Sequence, residues 1–130
     1  MKYYIISGEK SGDLYGGNLM KSLAKYHDNN VNFICWGGDI MRKNNGEMVR
    51  VLNKLSFMGF WEVLKNFRTV IYNFQLIKQE LKNKKPDILI LIDYPGFNLR
   101  VAKYAKSKNI KVIWFVAPQV WAWNEKRVSK

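Results

Sequence analysis

Three short stretches of this 130-residue sequence combine residue types that could do chemistry. The first is Gly8-Glu9-Lys10-Ser11-Gly12-Asp13, between the apolar run Tyr3–Ser7 and a helical pattern. A Gly-containing turn at a strand-to-helix junction is where backbone N–H groups cradle phosphate. The spacing fits neither common fingerprint, because no Gly directly precedes Lys10-Ser11 and Gly-x-Gly-x-x-Gly is not formed. Glu9 and Asp13 would also repel a phosphate, so a tight sugar-binding or packing turn is the more natural reading. The plain alternative is a pair of glycines that only turn the chain.

The second stretch is Ile92-Asp93-Tyr94-Pro95-Gly96-Phe97-Asn98. An Asp at the end of a buried strand sits at the mouth of a cleft, where partial burial raises its pKa and suits it to accept a hydroxyl proton. The alternative is an Asp that caps the Pro-Gly turn. The third stretch runs from Ala117 to Arg127 and carries Trp121 and Trp123 one residue apart beside Pro118. Such a pair is costly to leave in water and points to a sugar-stacking platform or a wedge into a neighbouring domain. Core packing is the competing reading.

The elements that must position these loops follow from periodicity. Tyr3–Ser7 reads as a short buried strand, and Asp13 falls at the start of a helix with Leu19, Met20, Leu23 and Ala24 at helical spacing. His27–Asn30 is a turn cluster before a strand over Val31–Trp36 and the Gly37-Gly38 break. Met41–Lys54 reads only as a short helix or turn plus a strand near Met48–Leu52. Phe60–Leu81 is an amphipathic helix whose expected core stripe includes Phe67, Ile71, Phe74, Ile77 and Leu81. Asp87–Ile92 and Lys111–Val116 read as strands buried on both faces, with a helix over Asn98–Lys108 between them. Buried strands alternating with helices predict an α/β fold, a Rossmann-like doubly wound parallel sheet. Ligands of such sheets bind at the carboxyl ends of the strands, which is where the three stretches fall.

Composition narrows the setting. Hydrophobic residues make up 48% and aromatics 15%, as expected of a folded globule and not of a disordered segment. No run of about 18 apolar residues spans a bilayer, and the amino-terminal segment lacks the pattern of a signal peptide. One Cys and one His give no metal cluster, so Cys35 in Val-Asn-Phe-Ile-Cys-Trp reads as a buried thiol. Everything fits a reducing cytoplasm. Twenty-two Lys and Arg against ten Asp and Glu leave a net charge of +12, which favours an anionic partner, either nucleic acid or an acidic membrane.

On the long helix, Trp61, Lys65, Arg68, Tyr72 and Leu76 align opposite the expected core stripe. Mixed aromatic and basic residues on a nominally polar face mark an interfacial helix, and these five are the candidate membrane contacts. The alternative is an ordinary solvated face with stray aromatics.

Five ordered motifs carry a resemblance over essentially the whole chain: Ser7–Gly17, Gly37–Met41, Leu55–Leu64, Pro86–Asn98 and Ala117–Val128. Together they closely resemble the amino-terminal half of the lipid-A-disaccharide synthases. That resemblance implies the amino-terminal lobe of a two-lobed, GT-B type, inverting glycosyltransferase with no cofactor and no metal requirement. The reaction implied joins UDP-diacylglucosamine to diacylglucosamine 1-phosphate (lipid X), forming lipid A disaccharide 1-phosphate and UDP. Asp93 matches the family's proposed general base. Glu9, Ser11, Gly12 and Asp13 match its first-loop motif, and Asn98 and Trp121 match further cleft positions, all taken as substrate-binding. The sequence departs from the family at Gly96, where many members have a second Asp, at Ala117, often Ser, and at Lys10, usually a small residue.

Family members continue into a second Rossmann lobe that binds UDP, so residues 1–130 are expected to be the acceptor lobe alone, inactive without its missing carboxyl-terminal partner. The expected place is the cytoplasmic face of the inner membrane, peripherally bound to its anionic surface. Self-association through an uncovered cleft is a further expectation. The rival readings are a basic nucleic-acid-binding module and a non-catalytic flavodoxin-like binding domain. The first lacks any common nucleic-acid recognition motif and scatters its basic residues, so no nucleic-acid partner is expected. The second has no phosphate cradle and gives Asp93 no role.

Overall fold

The structure is a computed structural model that describes residues 1–7, 10–51, 67–92 and 95–115. In chain order these form β1 (Lys2–Ser7), α1 (Lys10–Tyr26), β2 (Asn32–Gly37), α2 (Asp39–Lys43) and β3 (Gly46–Val51). They continue with α3 (Phe67–Lys84), β4 (Ile88–Ile92), α4 (Pro95–Ser107) and β5 (Lys111–Phe115). The five strands pair in parallel in the order β3-β2-β1-β4-β5, the doubly wound α/β arrangement expected from the alternation of strands and helices.

The apolar runs explain this order. Between neighbours on both edges and helices on both faces, β1 is buried from Tyr3 to Ser7, and β4 from Leu89 to Ile92. A continuous apolar run is most stable where both faces are covered, which suits these two strands to the interior of the sheet. On one face Tyr4, Ile6, Trp36, Leu89 and Leu91 pack with Ile77 and Leu81 of α3 and with Val101 and Ala105 of α4. On the other, Ile5, Cys35, Ile90 and Ile92 pack with Met20 of α1 and Met41 of α2. Burying each large aliphatic side chain contributes about 1.5–3 kcal/mol.

Helix ends follow local chemistry. The turn after α1 places Asp28 and Asn29 in the left-handed region at φ 50° and 64°, which Asn and Asp tolerate, and Asn29 N–H closes on the Ala24 carbonyl at 2.7 Å. Helix α3 ends with Lys85 at φ 47°, and Pro86 then prevents its continuation.

Two expectations change. Lys111–Phe115 is an edge strand and not a fully buried one: Val112 and Trp114 pack inward, while Ile113 and Phe115 are 41% and 39% exposed. The inward face of α3 is rotated from the expected stripe. Asn73, Ile77 and Leu81 are buried, Phe74 is half-buried, and Ile71 is exposed. Periodicity favours Ile71 over Asn73 for the inward face, but with Ile77 and Leu81 in the core cluster and Phe74 against Tyr104 of α4, the helix turns Ile71 outward. No helix among the described residues is long and apolar enough to cross a membrane.

Candidate functional site

The chain leaves β1 in two directions, toward β2 and β3 on one side and β4 and β5 on the other. The reversal puts a topological switch point between β1 and β4, and ligands of open α/β sheets bind outside the carboxyl ends of the strands at that point. In register, Ser7 pairs with Ile92 and Ile6 with Trp36, so β1, β2 and β4 end together. Ser7 and Ile92, the residues that precede the first loop and Asp93 in sequence, are therefore adjacent strand ends.

Gly12 brings α1 down onto this edge. A Cβ at Gly12 would overlap Ser7 Oγ and meet Ile92 Cγ2 at 3.2 Å, so only a hydrogen side chain allows the first turn of α1 to rest on both strand ends. One turn on, a Cβ at Gly16 would meet Met41 Sδ at 2.9 Å and Ile92 Cδ1 at 3.1 Å. The glycines set a close approach of helix to sheet.

Asp13 is 5% exposed and faces the loop after β2. Its Oδ1 accepts hydrogen bonds from the Gly38 N–H at 2.8 Å and the Met41 N–H at 3.1 Å, and its Oδ2 from the Ile40 N–H at 3.1 Å. Helix α2 has Gly38 at its N-cap position and so no capping side chain of its own. Asp13, 25 residues upstream, supplies that cap. The carboxylate, expected as a substrate contact at the start of its own helix, thus spends three of its roughly four acceptor sites on backbone amides. The helix starts earlier than read, at Lys10. A signal was present in the sequence: a Gly-Gly break before a short helix leaves N–H groups that need an acceptor from elsewhere.

Asn98 is fully buried in the first turn of α4, next to Phe97, whose ring stacks on Trp36 at 6.3 Å. Gly12, Asp13 and Asn98 thus lie on helices that start at the carboxyl edge. Ser11 is a backbone position on α1 and Arg68 one on α3. Glu9, Asp93, Trp121, Trp61 and Lys65 lie outside the described residues. On α3, Tyr72 is 61% exposed, whereas Leu76 is half-buried and packs against the core cluster.

Sequence reasoning missed Ser7, the buried residue beneath Gly12, and the rim formed by Leu14, Tyr15 and Phe115. Tyr15 and Phe115 approach at 5.9 Å between ring centres, and Leu14 is 47% exposed. No local pattern marks that rim, because it joins α1 to a strand a hundred residues later.

Among the described residues no group of three or more His, Cys, Asp and Glu is placed to hold a metal. Burial pushes the Cys35 thiol up to about 12, with Asp13 and Glu47 adding to the shift, so the thiol stays protonated and is no nucleophile.

The lipid-A-disaccharide synthetase family profile matches residues 3–130. A lipid-A-disaccharide synthase of Coxiella burnetii is 42% identical over 126 residues, covering 97% of this chain and 33% of the relative. One from Geobacter metallireducens is 41% identical with the same coverage. The lipid-A-disaccharide synthase 1 of Legionella pneumophila is 43% identical over 95% of this chain and 32% of its own length. The chain therefore spans about a third of the curated relatives it matches. With the profile matched from residue 3 to residue 130, the chain belongs to the lipid-A-disaccharide synthetase family.

Proposed function

We propose that this chain is the acceptor-binding lobe of an inverting hexosyltransferase that builds lipid A disaccharide 1-phosphate from UDP-diacylglucosamine and lipid X. The observation that carries the reading is the convergence of the first loop and the strand preceding Asp93 at one switch point, held there by Gly12 against Ser7 and Ile92. In this reading the acceptor hydroxyl lies over the ends of β1 and β4. Asp93 takes its proton as the oxygen attacks the anomeric carbon, the bond from that carbon to the UDP oxygen breaks, and the sugar inverts. Asn98 orients the acceptor from α4, and Trp121 stacks on its ring. Asp13 holds the loop after β2 in place, which defines one wall of the cleft.

The donor's diphosphate needs a second lobe, corresponding to the remaining two thirds of the relatives. Holding the leaving group in line supplies much of the rate enhancement, so residues 1–130 alone are inactive. The lobe docks reversibly on the anionic cytoplasmic face of the inner membrane through Trp61, Lys65, Arg68 and Tyr72, without Leu76, which the core holds, and residues 1–130 taken alone self-associate through the cleft.

A chimera tests this reading. Residues 1–130 replace the matched third of the Coxiella relative, and UDP release and disaccharide are measured with both lipid substrates in detergent. The chimera is expected to turn over, and Asp93→Asn to lower kcat by about 10²–10⁴-fold with little change in KM. A folded but inactive chimera refutes the acceptor-lobe assignment, and turnover by residues 1–130 alone refutes the division between lobes.

A further inference from the structure

At the end of the sheet opposite the switch point, the last turns of α3 and α4 and the turns that lead into β4 and β5 line an open cavity of about 500 Å³. Its lining includes Lys82, Lys85 and Lys108 and no carboxylate. Among the described residues none of these lysines forms an ion pair. The nearby Lys84 does, with Glu47 at 3.4 Å, and Lys2 Nζ donates to the Lys84 carbonyl at 2.7 Å.

Lysines near helix carboxyl termini have an ordinary explanation, since they offset the macrodipole. Two helix ends carry together about one negative charge. Three lysines exceed that by about two. The carbonyls at these ends are also already engaged: Leu81 accepts from Lys85 N–H at 3.2 Å, Ala105 from Ile110 N–H at 2.9 Å, and Lys106 from Asn109 N–H at 3.1 Å. The lysines are thus not needed as caps.

The floor of the cavity is Tyr104, with Lys108 Nζ 5.8 Å and, from outside the lining, Lys78 Nζ 5.5 Å from its ring centre. Leu81, Pro86 and Ile110 add an apolar wall. A surplus of about two positive charges around a partly apolar chamber matches a dianion carried on an organic body. We propose that this cavity is a binding site for a phosphomonoester group, separate from the carboxyl-edge cleft and independent of the function proposed for it. The group can come from a free phosphorylated small molecule or from a lipid headgroup.

The test uses the whole 130-residue chain, labelled with ¹⁵N, at physiological ionic strength. Phenyl phosphate is titrated against amide shifts, with phenol and inorganic phosphate as partial probes. Saturable shifts centred on Lys82, Lys85, Lys108 and Asn109 are expected, with inorganic phosphate weaker and phenol inert. Lys85→Gln and Lys108→Gln each weaken binding about five- to tenfold, whereas Lys21→Gln and Lys25→Gln on α1 leave it unchanged. These exposed changes are checked for folding by circular dichroism, and Tyr104→Phe serves as a second variant that keeps the cavity and the affinity. Vesicles containing phosphatidic acid, compared with phosphatidylcholine, then distinguish the sources. Competition between the vesicles and phenyl phosphate identifies a lipid headgroup, and its absence identifies a free ligand. Equal losses in the α1 controls, no saturable shifts, or tighter saturation by a phosphodiester oligonucleotide overturn the proposal.

Discussion

The two faces of the sheet are held by different physics. On the α1/α2 face the contacts are short and small: Gly12 and Gly16 rest on strand ends, and a single carboxylate ties Gly38, Ile40 and Met41 to α1. On the α3/α4 face the contacts are bulky. Trp36 stacks on Phe97, Trp36 Nε1–H donates to Tyr4 Oη at 3.0 Å, and Tyr4 O–H donates to Glu80 at 3.3 Å. Apolar packing of this kind tolerates swaps that conserve volume. Backbone contacts through glycine and a buried carboxylate allow little adjustment. The face with less tolerance is the one that fixes the first turn of α1 and the loop after β2, beside the proposed acceptor cleft.

This contrast is open to direct attack by substitution. Asp13→Ala strands backbone N–H groups of Gly38 and Met41 in a buried setting and should cost about 3–5 kcal/mol, read from the shift in urea denaturation midpoint. A loss below about 1 kcal/mol would mean that water replaces the carboxylate, and the asymmetry between faces would fall with it.

Gly12→Ala comes next. The added methyl group must displace the Ser7 hydroxyl and crowd Ile92, at an expected cost of about 1–3 kcal/mol by the same measurement. Gly16→Ala meets the flexible ends of Met41 and Ile92 instead. It also gains about 1 kcal/mol in helix propensity, so it should leave stability nearly unchanged. Equal losses at the two positions would show that helix crowding in general, and not the strand-end contact, is what matters.

On the opposite face Tyr4→Phe should cost only about 1–2 kcal/mol, because it removes the hydrogen bonds with Trp36 and Glu80 but leaves the aromatic packing. A larger loss than that of Asp13→Ala would reverse the comparison.

The smallest effect under ordinary conditions concerns Cys35. Burial raises its thiol from 9.0 to about 12. Below about pH 9 both folded and unfolded thiols are protonated and the stability contribution is complete. As pH rises from 9 toward 12 the unfolded thiol ionises first, so stability falls across that window. Denaturant midpoints measured from pH 8 to 11 in parent and Cys35→Ala chains should diverge in this sense. A thiol-reactive disulfide reagent at pH 8 should modify the unfolded chain and leave the native one untouched.

Much of this architecture is determined by the sequence itself. Tyr3–Ser7 and Asp87–Ile92 read as buried strands because an uninterrupted apolar run is most stable between two covered faces. The alternation of such runs with helical periodicity leads to a parallel sheet, and the parallel sheet makes its carboxyl edge the place to expect a site. These are local signals with one physical solution. The tertiary structure alone decided the rest. Asp13 caps a helix 25 residues away, a partnership between segments that no period records. Lys111–Phe115 is apolar enough for a central strand yet lies at the edge, because the position of a strand depends on what packs beside it. Ile71 faces out while Asn73 faces in, since the roll of α3 is set by its fit against α4 and the sheet. Periodicity records how each segment would bury itself, and only assembly selects which surfaces meet.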